Sequence, residues 1–268
     1  MLIQVEADAG AVSLRAAALV AELVTRNPRA VLGLAAGATP LGLYEELARR
    51  HLDFSGITVF GLDEYMDLPA DHPASCTWAV RRNLIERVNL DPSRIHLLDG
   101  IPDGDVTAAC AAFDRRIAAA GGLDLQILGL GVNGHIGFNE PGCSLSALTH
   151  PTALSASTRT VNRPGFPSPD EVPKAAVTMG IGTILAARRV LLLATGAAKA
   201  ETVAKAVEGP ITARVPASSL QMHADAVMLL DTAAAAALRF GDDYAAEAAT
   251  RSERGGQDWL RQAVVSKE

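Results

Sequence analysis

The chain has 268 residues, of which 49% are apolar and 20% charged; its net charge is −6 and its pI is near 5.5. This balance is typical of a globular protein with a sizeable core, and it excludes a disordered or fibrous chain. The acidic charge argues against a nucleic-acid partner, and an anionic substrate would need a local cluster of hydrogen-bond donors.

Apolar runs alternate with segments of helical period along the chain, which predicts an α/β fold with a mostly parallel sheet covered on both faces. The predicted strands are 30–34, 57–62, 124–130, 175–179, 190–194 and 226–230, with weaker ones at 95–98 and 152–155. The predicted helices are 41–50, 77–88, 105–119, 197–207 and 232–239, preceded by one near the N-terminus. No linker splits the chain, so we expect a single domain over residues 1–268.

The first motif in chain order, residues 33–40 (GLAAGATP), joins the first strong strand to a helix. Pro40 is predicted at the first helical position, where its missing N–H costs nothing. The free N–H groups of such a helix start, with the Thr39 hydroxyl, are suited to hold a phosphate. No Gly-Lys-Ser/Thr follows, so this is not a Walker A loop. Gly37 and Thr39 are equally compatible with a plain turn and a helix cap.

Two adjacent carboxylates, Asp63 and Glu64, follow the second predicted strand. Neighbouring side chains of an extended backbone point to opposite faces, so one of the two can enter a site at the carboxyl end of the sheet. A partly desolvated carboxylate there is suited to act as a general base toward a C–H proton. The alternative is that the pair caps the next segment or binds an arginine.

The most informative segment is residues 128–142 (LGLGVNGHIGFNEPG), which an apolar run precedes. Its glycines let the backbone turn sharply and approach a ligand closely, and the segment also carries Asn133, His135 and Glu140. We interpret it as a site loop at the carboxyl end of a buried parallel strand. The alternative is a glycine-rich turn with a helix-capping side chain.

Residues 162–173 contain four prolines and one glycine, which predicts a surface loop or lid rather than a regular element. Arg159 and Arg163 flank the start of this lid (residues 162–173) and are candidates for phosphate contacts. The tail from about residue 241 is charged, a terminal helix is predicted around 258–265, and no function is assigned to it.

Lys199 is predicted in the first turn of a helix, where its charge opposes the helix dipole. A bound anion nearby would offset both positive charges; a solvated lysine is the alternative. The five histidines other than His135 show no metal-ligand spacing, so no metal site is predicted.

Three cysteines, odd in number and without a CxxC pair, indicate a reducing compartment. Cys143 lies beside the glycine-rich loop, and we favour a small loop residue over a nucleophile. The N-terminal segment carries charges at Glu6, Asp8, Arg15 and Glu22, which fits neither a signal peptide nor a membrane span. We therefore expect a cytoplasmic protein that does not contact a membrane.

Together these motifs resemble the glucosamine-6-phosphate deaminase (isomerase) family. The most specific element is Gly-His-Ile-Gly-Phe-Asn-Glu-Pro at 134–141. Leu-Asp-Glu-Tyr at 62–65, Asp-His-Pro at 71–73, Lys199 with Val-Glu-Gly at 207–209, and Leu-Gln-Met-His at 220–223 support it in the same order. The resemblance implies a single doubly wound, Rossmann-like sheet. It also implies conversion of glucosamine 6-phosphate and water to fructose 6-phosphate and ammonia without a cofactor.

Residue roles follow from the resemblance alone. It implies that Asp63 moves a proton from C2 to C1 and that His135, oriented by Glu140, opens the sugar ring. Asn133 stands where some members have Asp, so the imidazolium of His135 should be less favoured than in those members. The phosphate would lie on residues 36–39 (Ala36, Gly37, Ala38 and Thr39), held by Lys199 and an arginine near the lid.

Two departures from the family pattern matter. Arg163 directly follows Asn162, where the family usually has one residue between the two, so Arg163 is the first candidate for the lid arginine and Arg159 the second. His150 and Thr152 stand where some members carry basic residues for an allosteric effector, so we expect that effector site to be absent or weak.

Three other functions remain open. A deaminase acting on galactosamine 6-phosphate would show the same motifs. A 6-phosphogluconolactonase shares the fold, but its signature continues Gly-His-Thr where this chain has Gly-His-Ile. A sugar-phosphate sensor domain would need the phosphate loop and no base. The oligomeric state, monomer or homo-oligomer, does not follow from the sequence.

Overall fold

The computed structural model describes residues 1–98 and 105–253. The strands are β1 (Leu2–Glu6), β2 (Val31–Leu34), β3 (Thr58–Gly61), β4 (Asp63–Tyr65), β5 (Ile95–His96), β6 (Leu125–Gly129), β7 (His150–Ala153), β8 (Ala175–Thr178), β9 (Val190–Ala194) and β10 (Ala226–Asp231). The α-helices are α1 (Ala9–Arg26), α2 (Ala38–Ala48), α3 (Cys76–Asn83), α4 (Val106–Ala119), α5 (Ala156–Asn162), α6 (Ile181–Leu185), α7 (Ala200–Val207), α8 (Thr232–Ala235) and α9 (Gly241–Glu253).

Seven strands form a sheet in the order β1-β10-β9-β6-β2-β3-β5, and every neighbouring pair is parallel. From β2 the chain continues outward to β3 and β5, whereas the later strands β6, β9 and β10 lie on the other side. This reversal makes the sheet doubly wound and opens a crevice at the carboxyl ends of β2 and β6. The predicted fold class is confirmed.

Apolar side chains of the sheet alternate between two cores, one on each face. Val31 and Leu192 belong to the core that packs under α4, α6 and α7, whereas their neighbours Leu32 and Leu191 face α1, α2 and α3. Strands buried on both faces read as continuous apolar runs, which is why the pattern predicted them.

A second, three-stranded antiparallel sheet, β4-β8-β7, was not predicted. The predicted strand 57–62 stops at Gly61, and predicted strand 175–179 joins the small sheet instead of the parallel one. Leu62 connects the two sheets, because its N–H donates to the Leu34 carbonyl at 2.8 Å and its carbonyl accepts from Met179 N–H at 2.8 Å. Asp63 therefore begins a strand of the small sheet.

Several boundaries differ from the prediction. Helix α2 begins at Ala38 rather than Leu41, so Pro40 is the third helical residue; its missing N–H is still harmless, because the first four N–H groups have no partner within a helix. The predicted helix 232–239 ends at Ala235, and β1, α5 and α6 are additional elements.

The tail from residue 241 forms α9, and the predicted helix around 258–265 lies outside the described residues. Among the described helices, none combines the length and the apolar character that a membrane crossing requires.

Candidate active site

A cavity of about 710 Å³ lies at the carboxyl ends of β2, β6 and β9. Seven of the predicted site residues line it: Ala36, Gly37, Ala38, Thr39, Asp63, His135 and Lys199. Asn133 hydrogen bonds with His135, and Glu140 hydrogen bonds with Asn133. Arg163 and Arg159 are not among the lining residues.

The N-terminus of α2 points into this cavity without a side-chain cap. Gly37 is the N-cap residue and makes no side-chain hydrogen bond, whereas Asp8, Ser75 and Asp105 cap α1, α3 and α4. Thr39 lies inside the first turn, so it is not the cap. The N–H groups of this turn have no partner within the helix and present a positive dipole end to the cavity.

Asp63 lies where the main sheet passes into the small one. Burial, and to a lesser extent the charge of Glu64, raise the pKa of its carboxyl to about 7, against the opposing effect of a hydrogen bond with the Cys76 side chain. A carboxylate with its pKa near neutrality is suited to take and return a proton.

Glu64 points away from the cavity and has a structural role. Its carboxylate accepts hydrogen bonds from the Ser75 hydroxyl at 2.6 Å and from the N–H groups of Tyr65 (2.8 Å), Cys76 (3.1 Å) and Thr77 (2.8 Å). Of the two adjacent carboxylates, Asp63 thus faces the cavity and Glu64 binds the first turn of α3.

A chain of hydrogen bonds fixes the tautomer of His135. The Asn133 Nδ2 donates to Glu140 Oε2 at 2.8 Å, which turns Asn133 Oδ1 toward His135 Nδ1 at 2.7 Å. The His135 backbone N–H donates to the same Oδ1 at 3.1 Å, which supports this amide orientation. Because Oδ1 can only accept, Nδ1 carries the proton and Nε2 keeps its lone pair.

The electrostatics favour a neutral imidazole. Burial lowers the pKa of His135; the Glu140 charge opposes this shift, and Lys199 adds to it. The ring also packs against Gly131, because a Cβ at that position would lie 2.3 Å from His135 Cε1.

Glu140, which lies close to His135, stays ionised. Burial raises its pKa, but hydrogen bonds from Thr158, from the Ser155 N–H and from Asn133 outweigh burial, and the pKa lies below its usual value. The distance from Glu140 Oε2 to His135 Nδ1 is 3.9 Å. Sequence reasoning missed Ser155 and Thr158; Ser155 is the N-cap of α5 and could have been found only by predicting that helix.

Three of the loop's glycines have the backbone conformation that side chains disfavour: Gly134 (φ 91°), Gly137 (φ 56°) and Gly142 (φ 97°). A Cβ at Gly137 would stand 2.7 Å from Thr178 Oγ1 and 3.4 Å from Asp63 Oδ2. The loop between β6 and the small sheet thus brings its backbone against Asp63, which only glycine permits here.

Lys199 is the last residue of a turn at Ala197–Lys199, which follows Gly196 (φ 88°), and it immediately precedes α7 rather than lying in its first turn as predicted. Burial lowers the pKa of its ammonium. The half-buried side chain lines the cavity, and its partial loss of water strengthens the attraction of the ammonium for an anion.

The lid packs on the small sheet. Phe166 stacks on His72 at 5.4 Å between ring centroids and meets Tyr65 edge-on at 5.9 Å. Arg163 is exposed, in a short turn that ends at Gly165. Arg159 is partly buried on α5, and among the described residues its Nε has no hydrogen-bond partner.

In residues 1–98 and 105–253, no group of three or more His, Cys, Asp or Glu side chains is arranged to hold a metal ion. Cys143 lies outside the cavity lining, and burial raises the pKa of its thiol, which disfavours a nucleophilic role. Cys76, which the sequence did not single out, does line the cavity.

The family described as glucosamine-6-phosphate isomerases/6-phosphogluconolactonase matches residues 5–229. The chain belongs to this family. Within it, the glucosamine-6-phosphate deaminase of Pseudarthrobacter chlorophenolicus is 50% identical over 232 residues, 85% of this chain and 89% of that protein. The deaminase of Halothermothrix orenii is 44% identical over 89% of this chain and its own full length.

Solved structures of the family separate into two levels of similarity. A monomeric glucosamine-6-phosphate deaminase superposes with a TM-score of 0.86 at 42% identity, covering 88% of this chain and 100% of that one. The 6-phosphogluconolactonase of Trypanosoma brucei has a TM-score of 0.73 at 22% identity, covering 88% and 97%. The lactonase comparison shows the shared fold alone.

Proposed function

We propose that this chain is a glucosamine-6-phosphate deaminase, which converts glucosamine 6-phosphate and water to fructose 6-phosphate and ammonia. The observation that carries the proposal is that Asp63 and His135 share one cavity with the uncapped N-terminus of α2. Relatives that are 42–50% identical over most of the chain and carry this name support it.

The phosphate of the substrate binds at the start of α2. The N–H groups after Gly37 and the Thr39 hydroxyl donate to its oxygens, and Lys199, which lines the same cavity, neutralises charge. Arg163 joins them if the lid moves toward the cavity, with Arg159 as the second candidate.

Ring opening is the role of His135. Its unprotonated Nε2 accepts the proton of the anomeric hydroxyl, and the imidazolium so formed gives a proton to the ring oxygen as the bond from C1 to that oxygen breaks. The products of this step are an open-chain aldehyde and the regenerated neutral imidazole. Asn133 and Glu140 hold the tautomer that the step requires.

Isomerisation is the role of Asp63. Its carboxylate removes the C2 proton, a C1=C2 double bond forms, and the aldehyde oxygen takes a proton from solvent. Asp63 then returns its proton to C1, a C2=N bond replaces the C1=C2 bond as the nitrogen gives a proton to solvent, and water hydrolyses this imine to the ketone and ammonia. The base must be ionised, so activity requires a pH above the pKa of Asp63.

The alternatives are separated by substrate and by chemistry. A sensor domain has no need of a carboxylate with its pKa near neutrality inside the cavity, and lactone hydrolysis breaks no C–H bond. Galactosamine 6-phosphate differs from the proposed substrate at C4 alone, so a direct comparison of the two sugars decides between them.

The test is release of ammonia, coupled to detection of fructose 6-phosphate, with purified protein, glucosamine 6-phosphate and no added metal. Equal formation of both products supports the proposal. Turnover of galactosamine 6-phosphate with a higher kcat/KM than glucosamine 6-phosphate would reassign the substrate. Folded protein that binds both sugars without turning either over would favour a sensor.

A further inference from the structure

Tyr44 is a fully buried polar side chain to which the proposed mechanism gives no role. It lies on α2, the helix whose N-terminus points into the cavity. Its hydroxyl donates to the Ala35 carbonyl at 2.8 Å and accepts from the Ala35 N–H at 3.0 Å. One phenol thus satisfies both backbone groups of a residue that lies nine positions earlier in the chain.

Ala35 is the residue at which the chain leaves the main sheet. Strand β2 ends at Leu34, whose carbonyl still accepts from the Leu62 N–H at 2.8 Å. Ala35 follows it, is buried and lines the cavity. Buried backbone groups need hydrogen-bond partners, and for Ala35 the Tyr44 hydroxyl supplies them in place of a neighbouring strand.

The two hydrogen bonds close a short loop that contains the proposed phosphate-binding residues. Only two residues separate Ala35 from α2, which begins at Ala38, and the N-cap Gly37 makes no side-chain hydrogen bond. Residues 36–39 are therefore held by β2 on one side and by Tyr44, about two turns into α2, on the other. The direction of their N–H groups depends on where α2 lies relative to the end of β2.

Tyr44 acts on this loop without touching the substrate. It is not among the residues that line the cavity, and its hydroxyl is engaged with Ala35 both as donor and as acceptor. Burial raises the pKa of the phenol; the hydrogen bond with Ala35 opposes the shift, and the charge of Asp63 adds to it. The phenol therefore stays neutral and keeps its O–H donor at every pH at which Asp63 can act as a base.

We propose that Tyr44 is a positioning residue whose hydroxyl holds Ala35 and thereby sets residues 36–39 in the orientation that binds the substrate phosphate. The inference rests on the proposed phosphate site at the start of α2. Removal of the hydroxyl leaves the N–H and carbonyl of Ala35 buried without partners, so the loop must turn to find others. The phosphate then meets N–H groups that no longer point at its oxygens.

The test compares Tyr44→Phe, which removes the hydroxyl alone, with Tyr244→Phe as a matched control. Tyr244 lies on α9 and does not line the cavity. The first readout is the pair of KM and kcat for glucosamine 6-phosphate. The second is a titration with inorganic phosphate, followed by the amide resonances of Gly37, Ala38 and Thr39 in ¹H–¹⁵N NMR.

We expect Tyr44→Phe to raise KM and the half-saturating phosphate concentration each by about tenfold, because buried groups without partners cost enough free energy to displace the loop. The kcat should stay within about threefold of the parent, since Asp63 and His135 lie on other segments. Tyr244→Phe should match the parent in all three values.

A folded Tyr44→Phe variant that keeps the parental KM and half-saturating phosphate concentration overturns the proposal. So does a loss of kcat at constant KM, because a defect outside the phosphate site behaves in this way. If phosphate does not shift the amide resonances of residues 37–39 in the parent, the proposed phosphate site itself fails, and the inference fails with it. If those resonances shift but the protein turns over neither amino sugar, the deaminase activity fails and the phosphate titration still tests Tyr44.

The parent protein provides the test if Tyr44→Phe does not fold. A ligand that binds only the loop held by Tyr44 also stabilises that hydrogen-bonded state. Phosphate at ten times its half-saturating concentration should therefore slow exchange of the Ala35 amide hydrogen by about tenfold. An exchange rate that phosphate leaves unchanged overturns the proposal.

Discussion

Gly131 lies directly against the imidazole of His135, and replacing it with alanine tests how closely the ring must be placed. An ideal Cβ at Gly131 would stand 2.3 Å from His135 Cε1 and 2.4 Å from Nδ1 and Nε2, whereas ordinary contact begins at 3.4 Å. The ring must therefore retreat by about 1 Å, away from its hydrogen bond with Asn133. The φ angle of Gly131 is not positive, so alanine brings no backbone strain.

A displacement of about 1 Å at a catalytic group costs on the order of a hundredfold in rate, or about 2.7 kcal/mol in the activation barrier. We expect Gly131→Ala to lose this much kcat with little change in KM, because the phosphate site does not move. The assay is ammonia release at saturating glucosamine 6-phosphate, with the thermal midpoint measured alongside.

Gly129→Ala is the matched control, two residues earlier in the same segment. Its Cβ would lie 3.7 Å from Pro40 Cδ, an ordinary contact, so kcat should stay within about twofold of the parent. The reasoning is refuted if Gly131→Ala keeps the parental kcat, or if the two variants lose activity equally.

Five further outcomes follow from the site. Asp63→Asn should lower kcat by about 10²- to 10⁴-fold and leave substrate affinity, measured by calorimetry, nearly unchanged. The same variant should have a higher thermal midpoint than the parent above pH 7, because the raised pKa makes ionised Asp63 a cost to the fold as the pH increases from about 4 to 7. In the parent, kcat/KM should rise with pH through about 7, and a profile flat between pH 6 and 8 would exclude Asp63 as the base. Lys199→Ala should raise KM by about 10- to 100-fold at constant kcat, and a parental KM would remove Lys199 from the phosphate site. Glu64→Gln should lower the free energy of unfolding in urea by about 1–3 kcal/mol, since an amide cannot accept all four hydrogen bonds; equal stability would contradict its bracing role.

Local patterns were enough to predict the parallel sheet and much of the cavity. Asp63, His135 and Lys199 all follow buried strands, and the carboxyl ends of parallel strands meet at one edge of the sheet. Their convergence on one cavity therefore follows from the order of apolar runs. The small sheet could not be predicted in this way, because β4 has only three residues and its pairing with β8 spans more than 100 positions.

Which of the two carboxylates, Asp63 or Glu64, faces the cavity could be learned only from the structure. Alternation of side chains predicts that one carboxylate enters the site, but both residues are equally suited to be the base. The choice depends on Ser75, whose hydroxyl binds Glu64 from eleven residues away. Arg163 shows the converse: the family pattern suggests a role, while its position in the lid leaves it exposed.

The lid joins two neighbouring strands of the small sheet, since β7 and α5 precede it and β8 follows it. The seven-stranded sheet does not constrain the length of the lid. Doubling the length of such a loop raises the free energy of loop closure by only about 0.6 kcal/mol. Changes of length between residues 162 and 173 therefore leave the seven-stranded sheet intact. Selection can in this way remodel the entrance of the cavity while Asp63, on the far strand of the same sheet, stays where it is.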